Sequence, residues 1–499
     1  MKSIPYAKAD KPMLRTVLTW VFACWLVATT LLSACGGGGV GSGGSGTGVA
    51  SYSEGIVSGL GSVIVDGTEF SDTQAAVQTQ TADGSSINAQ VKLGQRVLVS
   101  YDSSNSASVI QVLPQLSGPA SGAPDSSGWI KVAAQWVKLV DAASATASRP
   151  VTLISGYTGL SAIAAADEVE IHGNWVLDST LNAWVLVATR LEKLSSAGAD
   201  VLVSGIVHSL PTGTTVRINA VDGTLLQVNS LPANLKAGQL VSAWIARSNW
   251  GASPLLATRV TLQGISNLGG PGDNLRVSGL ASDYDASTNT VSVQGVRVNL
   301  PAVGGPDPSA LRSGALVRVD GKGGSFSMQA SSASASQGPS GSSAPLPVEL
   351  KGVLNGINWN ASSVTFTLRD STVVATASAV DKSCKQLAAT ADAYVQVKGS
   401  ITPPSTTVQA NSVTCSASAP SGATLQRSGT LLSVSSTALS LQTSMGSGMG
   451  TVQMQVDANT FFEQPSASLI GQTVDVEGVL ITGSSSLRAK TVKRARRAP

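Results

Sequence analysis

One pattern, recurring at a spacing of about 65–75 residues, constrains this chain more than any other feature. Its front half is a Gly, two apolar residues, a turn and an alternating strand. Its back half is Leu-x-x-Gly-x-x-Val-x-Val, a Gly or polar turn, and Ala-x-x-Val. A period of that length marks a domain, not a solenoid unit. Copies are read at 53–113 (Gly55-Ile-Val57, Leu93-Gly-Gln-Arg-Val-Leu-Val99), 127–194 (Asp167-Glu-Val-Glu-Ile-His-Gly173), 200–263 (Gly205-Ile-Val207, Leu235-Lys-Ala-Gly238), 275–325 (Gly279-Leu280, Leu311-Arg-Ser-Gly314), 348–416 (Gly352-Val-Leu354, Tyr394-Val-Gln-Val-Lys-Gly399) and 427–495 (Gly429-Thr-Leu-Leu432, Gly471-Gln-Thr-Val-Asp-Val-Glu-Gly478). The 127–194 copy departs most from the pattern, and the 275–325 copy has a poorly marked last strand.

Alternation such as Val474-Asp-Val476 turns one side of a strand inward and the other to water. The Gly that follows such a run suits a hairpin turn with positive φ. About five short strands per copy and no long helical period predict an all-β chain. Closing the strands into small barrels removes exposed edges. The expected fold is a tandem array of about six small five-stranded antiparallel barrels joined by flexible linkers. Each barrel would be like the oligonucleotide- and oligosaccharide-binding fold, with a six-stranded or sandwich variant as the alternative. Pro/Gly/Ser-rich stretches at 114–127, 263–274, 325–347 and 416–425 read as surface linkers, with 326–347 expected to be disordered.

Composition agrees with this reading. Charged residues are only 12% and hydrophobic ones 42%, which suits short strands rather than helices with charged outer faces. The net charge of +3 leaves no basic face along the body, so a nucleic-acid partner is not expected. The basic end, Lys490, Lys493, Arg494, Arg496 and Arg497, reads as solvated.

The first residues have the form of an export signal. Lys2, Lys8, Lys11 and Arg15 precede an apolar run from Val17 to Leu32, too short to span a bilayer as a permanent helix. The run ends in Leu32-Ser-Ala-Cys35-Gly36, which resembles the lipobox of bacterial lipoproteins. That resemblance implies cleavage after residue 34, a diacylglycerol on Cys35 and an acylated amino terminus, giving a stable anchor. Gly36, rather than Asp, after the Cys implies the outer membrane. The segment 35–52 then reads as a lipidated Cys and a Gly/Ser tether. In an oxidising compartment Cys384 and Cys415 are expected to form a disulfide.

Taken together, the lipobox, the tether and the recurring pattern resemble a family of bacterial envelope lipoproteins built on a domain of unknown function. The resemblance implies a fold and a compartment. Its motif positions are turn and core residues, and it brings no catalytic residues to this chain.

Few residues here could carry chemistry. The chain has two His, and both His172, on a strand, and His208 are expected to face solvent. No nucleophile elbow, zinc-protease motif or paired-Cys metal motif occurs. Asp283-Tyr-Asp285-Ala-Ser287 is similar to the start of a calcium loop, but lacks its Gly and closing Glu and reads better as a hairpin turn. Tryptophan is the distinctive feature. Trp129, Trp136, Trp175, Trp184, Trp244 and Trp250 fall within two adjacent copies. Trp175 and Trp184 flank a turn as a cross-strand pair, and Trp136, Trp175, Trp184 and Trp244 are the candidate ligand-binding residues, with core burial as their plainer role. The function expected is non-catalytic binding or adhesion to an envelope polysaccharide or protein. The alternative is a structural spacer or assembly scaffold. No enzyme activity, metal or cofactor is expected.

Overall fold

The computed structural model describes residues 49–495, apart from short segments at 142, 147–148, 234, 269, 302–310, 312–313, 325–326, 336–344, 355, 389–392, 403–406, 421, 446–447 and 482–485. Cys35, the tether at 36–48, Arg496 and Arg497 lie outside the described residues. Strands hold 58% of the residues and helices 5%, so the chain is all-β. Among the described residues no helix is long and apolar enough to cross a membrane.

First along the chain are β1 (Ser51–Leu60), β2 (Val63–Val65), β3 (Thr68–Phe70), β4 (Ala76–Gln80), β5 (Ser86–Asn88), β6 (Arg96–Tyr101) and β7 (Ala107–Val112). β1 pairs antiparallel with β2 and β6, β2 with β3, and β6 with β7; a parallel bridge from Ser71 to Ser106 joins the end of β3 to β7. The five strands thus form a ring whose third and last members run parallel. Next come β8 (Leu116–Pro119), β9 (Trp129–Val132), β10 (Gln135–Lys138), β11 (Leu153–Ser155), β12 (Glu168–Asp178) and β13 (Ala183–Lys193). The same cyclic order runs through β8, β9, β10, β13 and β12, with β10 parallel to β13.

The order recurs without a break in the ladders of β14 (Asp200–Thr212), β15 (Thr215–Ile218), β16 (Leu225–Gln227), β17 (Leu240–Ala246) and β18 (Leu255–Leu262), a closed five-stranded barrel. β19 (Asn274–Asp285), β20 (Thr290–Val293), β21 (Val296–Asn299), β22 (Leu316–Gly323) and β23 (Ser327–Ala335) follow it. β24 (Leu346–Leu354), β25 (Ser363–Leu368), β26 (Ser371–Thr376), β27 (Ala393–Ile401) and β28 (Val408–Ser416) keep the order, but among the described residues β24 and β25 share no ladder. Last are β29 (Thr424–Val434), β30 (Ala438–Met445), β31 (Gly448–Gln455), β32 (Phe461–Phe462), β33 (Thr473–Leu480) and β34 (Leu487–Arg494).

The recurring sequence pattern has a direct structural meaning. Gly94, Gly238, Gly314 and Gly471 sit at φ of 79°, 86°, 86° and 79°, where a side chain is disfavoured. Their amides donate to the carbonyls of Val57, Val207, Ala281 and Leu431, each at 2.8 Å. The amides of those four residues donate in return to the residue after the glycine, at 2.8–3.0 Å. Each opening strand is irregular close to this point, and the glycine turn satisfies backbone groups that its neighbour strand does not. Leu93, Leu235, Leu311 and Leu469, just ahead of these glycines, are buried and pin the turn to the core.

The glycines after the Val-x-Val runs behave otherwise than expected. Gly173, Gly321, Gly399 and Gly478 are not hairpin turns; each lies within its strand, beside a bulge. A Cβ there would meet a facing carbonyl oxygen at 2.2, 2.2, 2.4 and 3.1 Å, so glycine is set by close approach of two backbones.

Stretches read as linkers also carry structure. The 114–127 stretch contains β8, with Gln115 and Leu116 fully buried, and β23 occupies Ser327–Ala335 inside the stretch expected to be disordered. Residues 336–344 of that stretch lie outside the described residues.

Rings share their sheets, both successive ones and ones far apart in the chain. β1 continues in parallel into β19 (Ser51↔Asn274 to Glu54↔Val277) and into β24 (Gly59↔Glu349, Leu60↔Leu350), while β8 pairs antiparallel with β14. One hydrophobic cluster joins Val57, Phe70 and Ile110 to Leu350, Phe366 and Val413. Cys384, in the one-turn helix Lys382–Lys385, is bonded to Cys415 of β28, with the Cα atoms 4.8 Å apart. The cystine closes a loop over a sequence separation of 31. Reduction should therefore cost about 3 kcal/mol, read as a lower melting temperature in calorimetry with a reductant. An unchanged melting temperature would show that the loop is already restrained by its ladders.

Candidate functional site

The β9–β10 hairpin carries the most distinctive surface. Its turn, Ala133-Ala134, has φ of 46° and 61°, a two-residue hairpin turn with both residues left-handed. Alternation then sends Ile130, Val132, Gln135 and Val137 inward, all buried, and Trp129, Lys131, Trp136 and Lys138 outward. In register, Trp136 faces Lys131 and Lys138 faces Trp129, so indole and ammonium alternate across the two strands. The indole rings lie 6.2 Å apart at 79°. Lys131 Nζ sits 4.5 Å from the Trp136 ring centre and Lys138 Nζ 5.1 Å from that of Trp129. Trp136 is 38% exposed, whereas Trp129 is half-buried against Val140, Val176 and Val185.

The hairpin is held from behind. Gln135 donates to Thr224 Oγ1 (2.8 Å) and accepts from Asn219 Nδ2 (2.7 Å), tying the hairpin to the next barrel. Asp125 Oδ1 accepts the amides of Ser127 and Trp129 at 2.8 and 2.9 Å, fixing the strand entry.

The other candidate tryptophans lie elsewhere. Trp175 is fully buried and donates through Nε1 to Gln115 Oε1 at 2.9 Å, so it presents no face to a ligand. Trp244 is 8% exposed, with the Arg259 guanidinium 5.2 Å from its ring. Trp184 is half-buried in the core shared by the second and third rings, its amide donating to Asn219 O at 2.8 Å. Trp175 and Trp184 are not direct cross-strand partners; Trp175 faces Leu186 and Trp184 faces Leu177, which leaves the two indoles diagonal. Trp175 and Trp184 face inward with Leu186, into the core of their own ring, whereas Trp244, between the core residues Ala243 and Ile245, lies on an outer strand face that packing between rings covers.

His172 shows the same effect. It was expected to face solvent, yet it is fully buried. Its Nδ1 lies 3.3 Å from the Arg96 amide and 3.2 Å from Leu113 O, and its Nε2 lies 2.9 Å from Glu170 Oε1. Arg96 is itself fully buried. Its Nε donates to Glu54 Oε1 (2.8 Å), Nη1 to Asn174 Oδ1 (2.9 Å) and Nη2 to Ser278 O (3.0 Å). Glu54 Oε2 in turn accepts the Ile265 amide at 2.7 Å. One guanidinium thus joins β1, β6, β12 and β19. His208 is exposed, as expected.

A cleft lined by Asp72, Arg369, Asp457, Glu477, Arg488 and Lys490 gathers carboxylates from separate rings, and cations hold them. Lys490 Nζ lies 2.6 Å from Asp72, Arg369 Nη1 3.0 Å from Glu477, and Arg488 3.6 Å from Asp457. Burial alone would push the Asp72 carboxyl up, but Lys490 and Arg369 outweigh it and keep it below the usual carboxylate range. These groups suit ion pairing better than proton transfer. The basic end is correspondingly less solvated than expected, since Lys490 pairs with Asp72 and Lys493 with Asp370. The Asp283–Ser287 stretch is a turn. Asp285 Oδ1 accepts from the Ser287 amide and hydroxyl at 2.8 and 2.6 Å, and among the described residues no cluster of three metal-ligating side chains forms.

No known protein-family model matches the chain, and no curated protein shows significant similarity to it.

Proposed function

We propose that the chain is a non-catalytic binding protein of the bacterial envelope, anchored through a lipid on Cys35, that holds a glycan or protein ligand on the β9–β10 hairpin. The observation that supports this most is the outward face of Trp129, Lys131, Trp136 and Lys138 on a hairpin braced by the neighbouring barrel. An exposed indole offers contact area at little entropic cost, and a braced hairpin loses little freedom on binding. The test is co-sedimentation of the full chain, in detergent micelles, with peptidoglycan and purified envelope polysaccharide. Saturable binding that falls about tenfold on Trp136→Ala, with an unchanged melting temperature, is the expected result. Binding indifferent to Trp136 would remove the hairpin from the reading. The anchor is checked separately: labelled palmitate should enter the protein in cells and be lost completely in Cys35→Ser.

A second reading, a rigid spacer or assembly scaffold, draws support from the buried Arg96–Glu54 pair that ties distant strands together. It expects envelope defects from variants in that pair and none from Trp136→Ala.

A further inference from the structure

We infer that the ligand of the β9–β10 face is an acidic polysaccharide, a chain of sugar rings bearing carboxylates. This rests on the binding function proposed above and names the chemistry of its ligand.

Three observations carry it. The first is the shape of the aromatic pair. Two indoles meeting at 79° make a corner, not a flat platform, and a corner receives the edge and one C–H face of a single ring. The second is charge. Among the described residues, neither Lys131 nor Lys138 makes an ion pair within 4.0 Å, whereas the buried cations Arg96, Arg190, Arg369 and Lys493 and the half-buried Lys490 each have a carboxylate. The nearby carboxylates are committed to turns: Asp125 to the amides of Ser127 and Trp129, Asp141 to Ser144, and Asp178 to the amides of Thr180 and Leu181. Two ammonium groups therefore stand over the indoles; Lys138 Nζ also donates to Ser127 O, and each lysine keeps donors for an anion. Within a strand, each lysine is about 6–7 Å from its tryptophan, a separation that one sugar ring with a carboxylate on it can bridge.

The third observation argues against a protein partner. Specific protein interfaces bury about 800 Å² on each side around an apolar centre. Among the described residues, the other exposed large apolar ones, Val49, Ile87, Leu181, Leu210, Val221, Leu256, Leu432 and Ile470, are spread singly over different strands, turns and the N-terminal approach to β1. Trp136 thus belongs to a small aromatic and cationic patch, which suits a polyanion with apolar ring faces.

The experiment uses the full chain in detergent micelles and three immobilised polymers: polygalacturonate, its methyl ester, which keeps the sugar backbone and removes the charge, and polyglutamate, which keeps the charge and has no sugar. Polygalacturonate should bind, and rising salt should weaken it. Its methyl ester and polyglutamate should each bind at least about tenfold more weakly. Trp136→Ala, and separately Lys131→Gln with Lys138→Gln, should weaken polygalacturonate binding about tenfold with the melting temperature unchanged. Equal binding of the methyl ester would overturn the acidic ligand while leaving glycan binding intact. Equal binding of polyglutamate with no effect of Trp136→Ala would reduce the face to a plain polyanion contact and overturn the inference. Retention of none of the three, together with no binding to whole envelope polysaccharide or peptidoglycan, would overturn both this inference and glycan binding.

Discussion

Arg96→Met should destabilise the protein by about 3–5 kcal/mol, because it strands the Glu54 carboxylate in a buried site without its cation. Arg96 is fully buried and Glu54 is 2% exposed, so water cannot replace the lost partner without disrupting the junction. The same substitution removes the donors to Asn174 and Ser278 O, which lie on β12 and β19. Urea denaturation followed by far-ultraviolet circular dichroism measures the loss. Glu54→Gln added to Arg96→Met should recover part of it, since a neutral amide costs less to bury than a lone carboxylate. If the single variant unfolds at the wild-type midpoint, the pair is not a structural tie and the rigid-spacer reading loses its support.

Trp175→Ala should cost a similar amount, about 3–5 kcal/mol, through the cavity left by a fully buried indole. It also leaves Gln115 Oε1 without its donor. Trp136→Ala on the next hairpin should change stability by no more than about 0.5 kcal/mol, because its ring is substantially exposed. Paired melting curves of the two variants make the comparison, with near-ultraviolet circular dichroism reporting the shared core. A small effect at Trp175 would mean that the second and third rings do not depend on their common core.

The strand-rich fold and the Leu-x-x-Gly turns were legible because they depend on short-range pattern. Val474-Asp-Val476 alternates as a strand should, and Leu235 with Gly238 marks a turn whose backbone only glycine adopts easily. The disulfide followed from two cysteines in one short segment. What stayed hidden was set by residues far apart in the chain. His172 lies on the outer face of β12, whose middle is buried on both faces because a neighbouring ring covers that outer one, and no local period signals that. β8 has only four residues and sits in a Pro/Gly/Ser-rich stretch, so its composition hid a strand held by ladders to β12 and β14. At the candidate site, tryptophan content pointed to the region that holds the β9–β10 hairpin. Which of the indoles is exposed depended on alternation along β9 and β10 and on tertiary cover, so Trp136 stood out only once the strands were in place.

The parallel partners of β1 have a consequence for biogenesis. Residues 51–54 wait for 274–277, and residues 59–60 wait for 349–350. A ribosome delivers the N-terminal strand long before either partner exists. Through that interval the strand keeps open hydrogen-bonding edges, the condition that invites aggregation. Pairing at such long range is also intrinsically slow. A chain of independent beads could mature bead by bead and be cut into soluble pieces. This one is interlocked out of order, so a chain ending before residue 349 leaves residues 59–60 of β1 without their parallel partner.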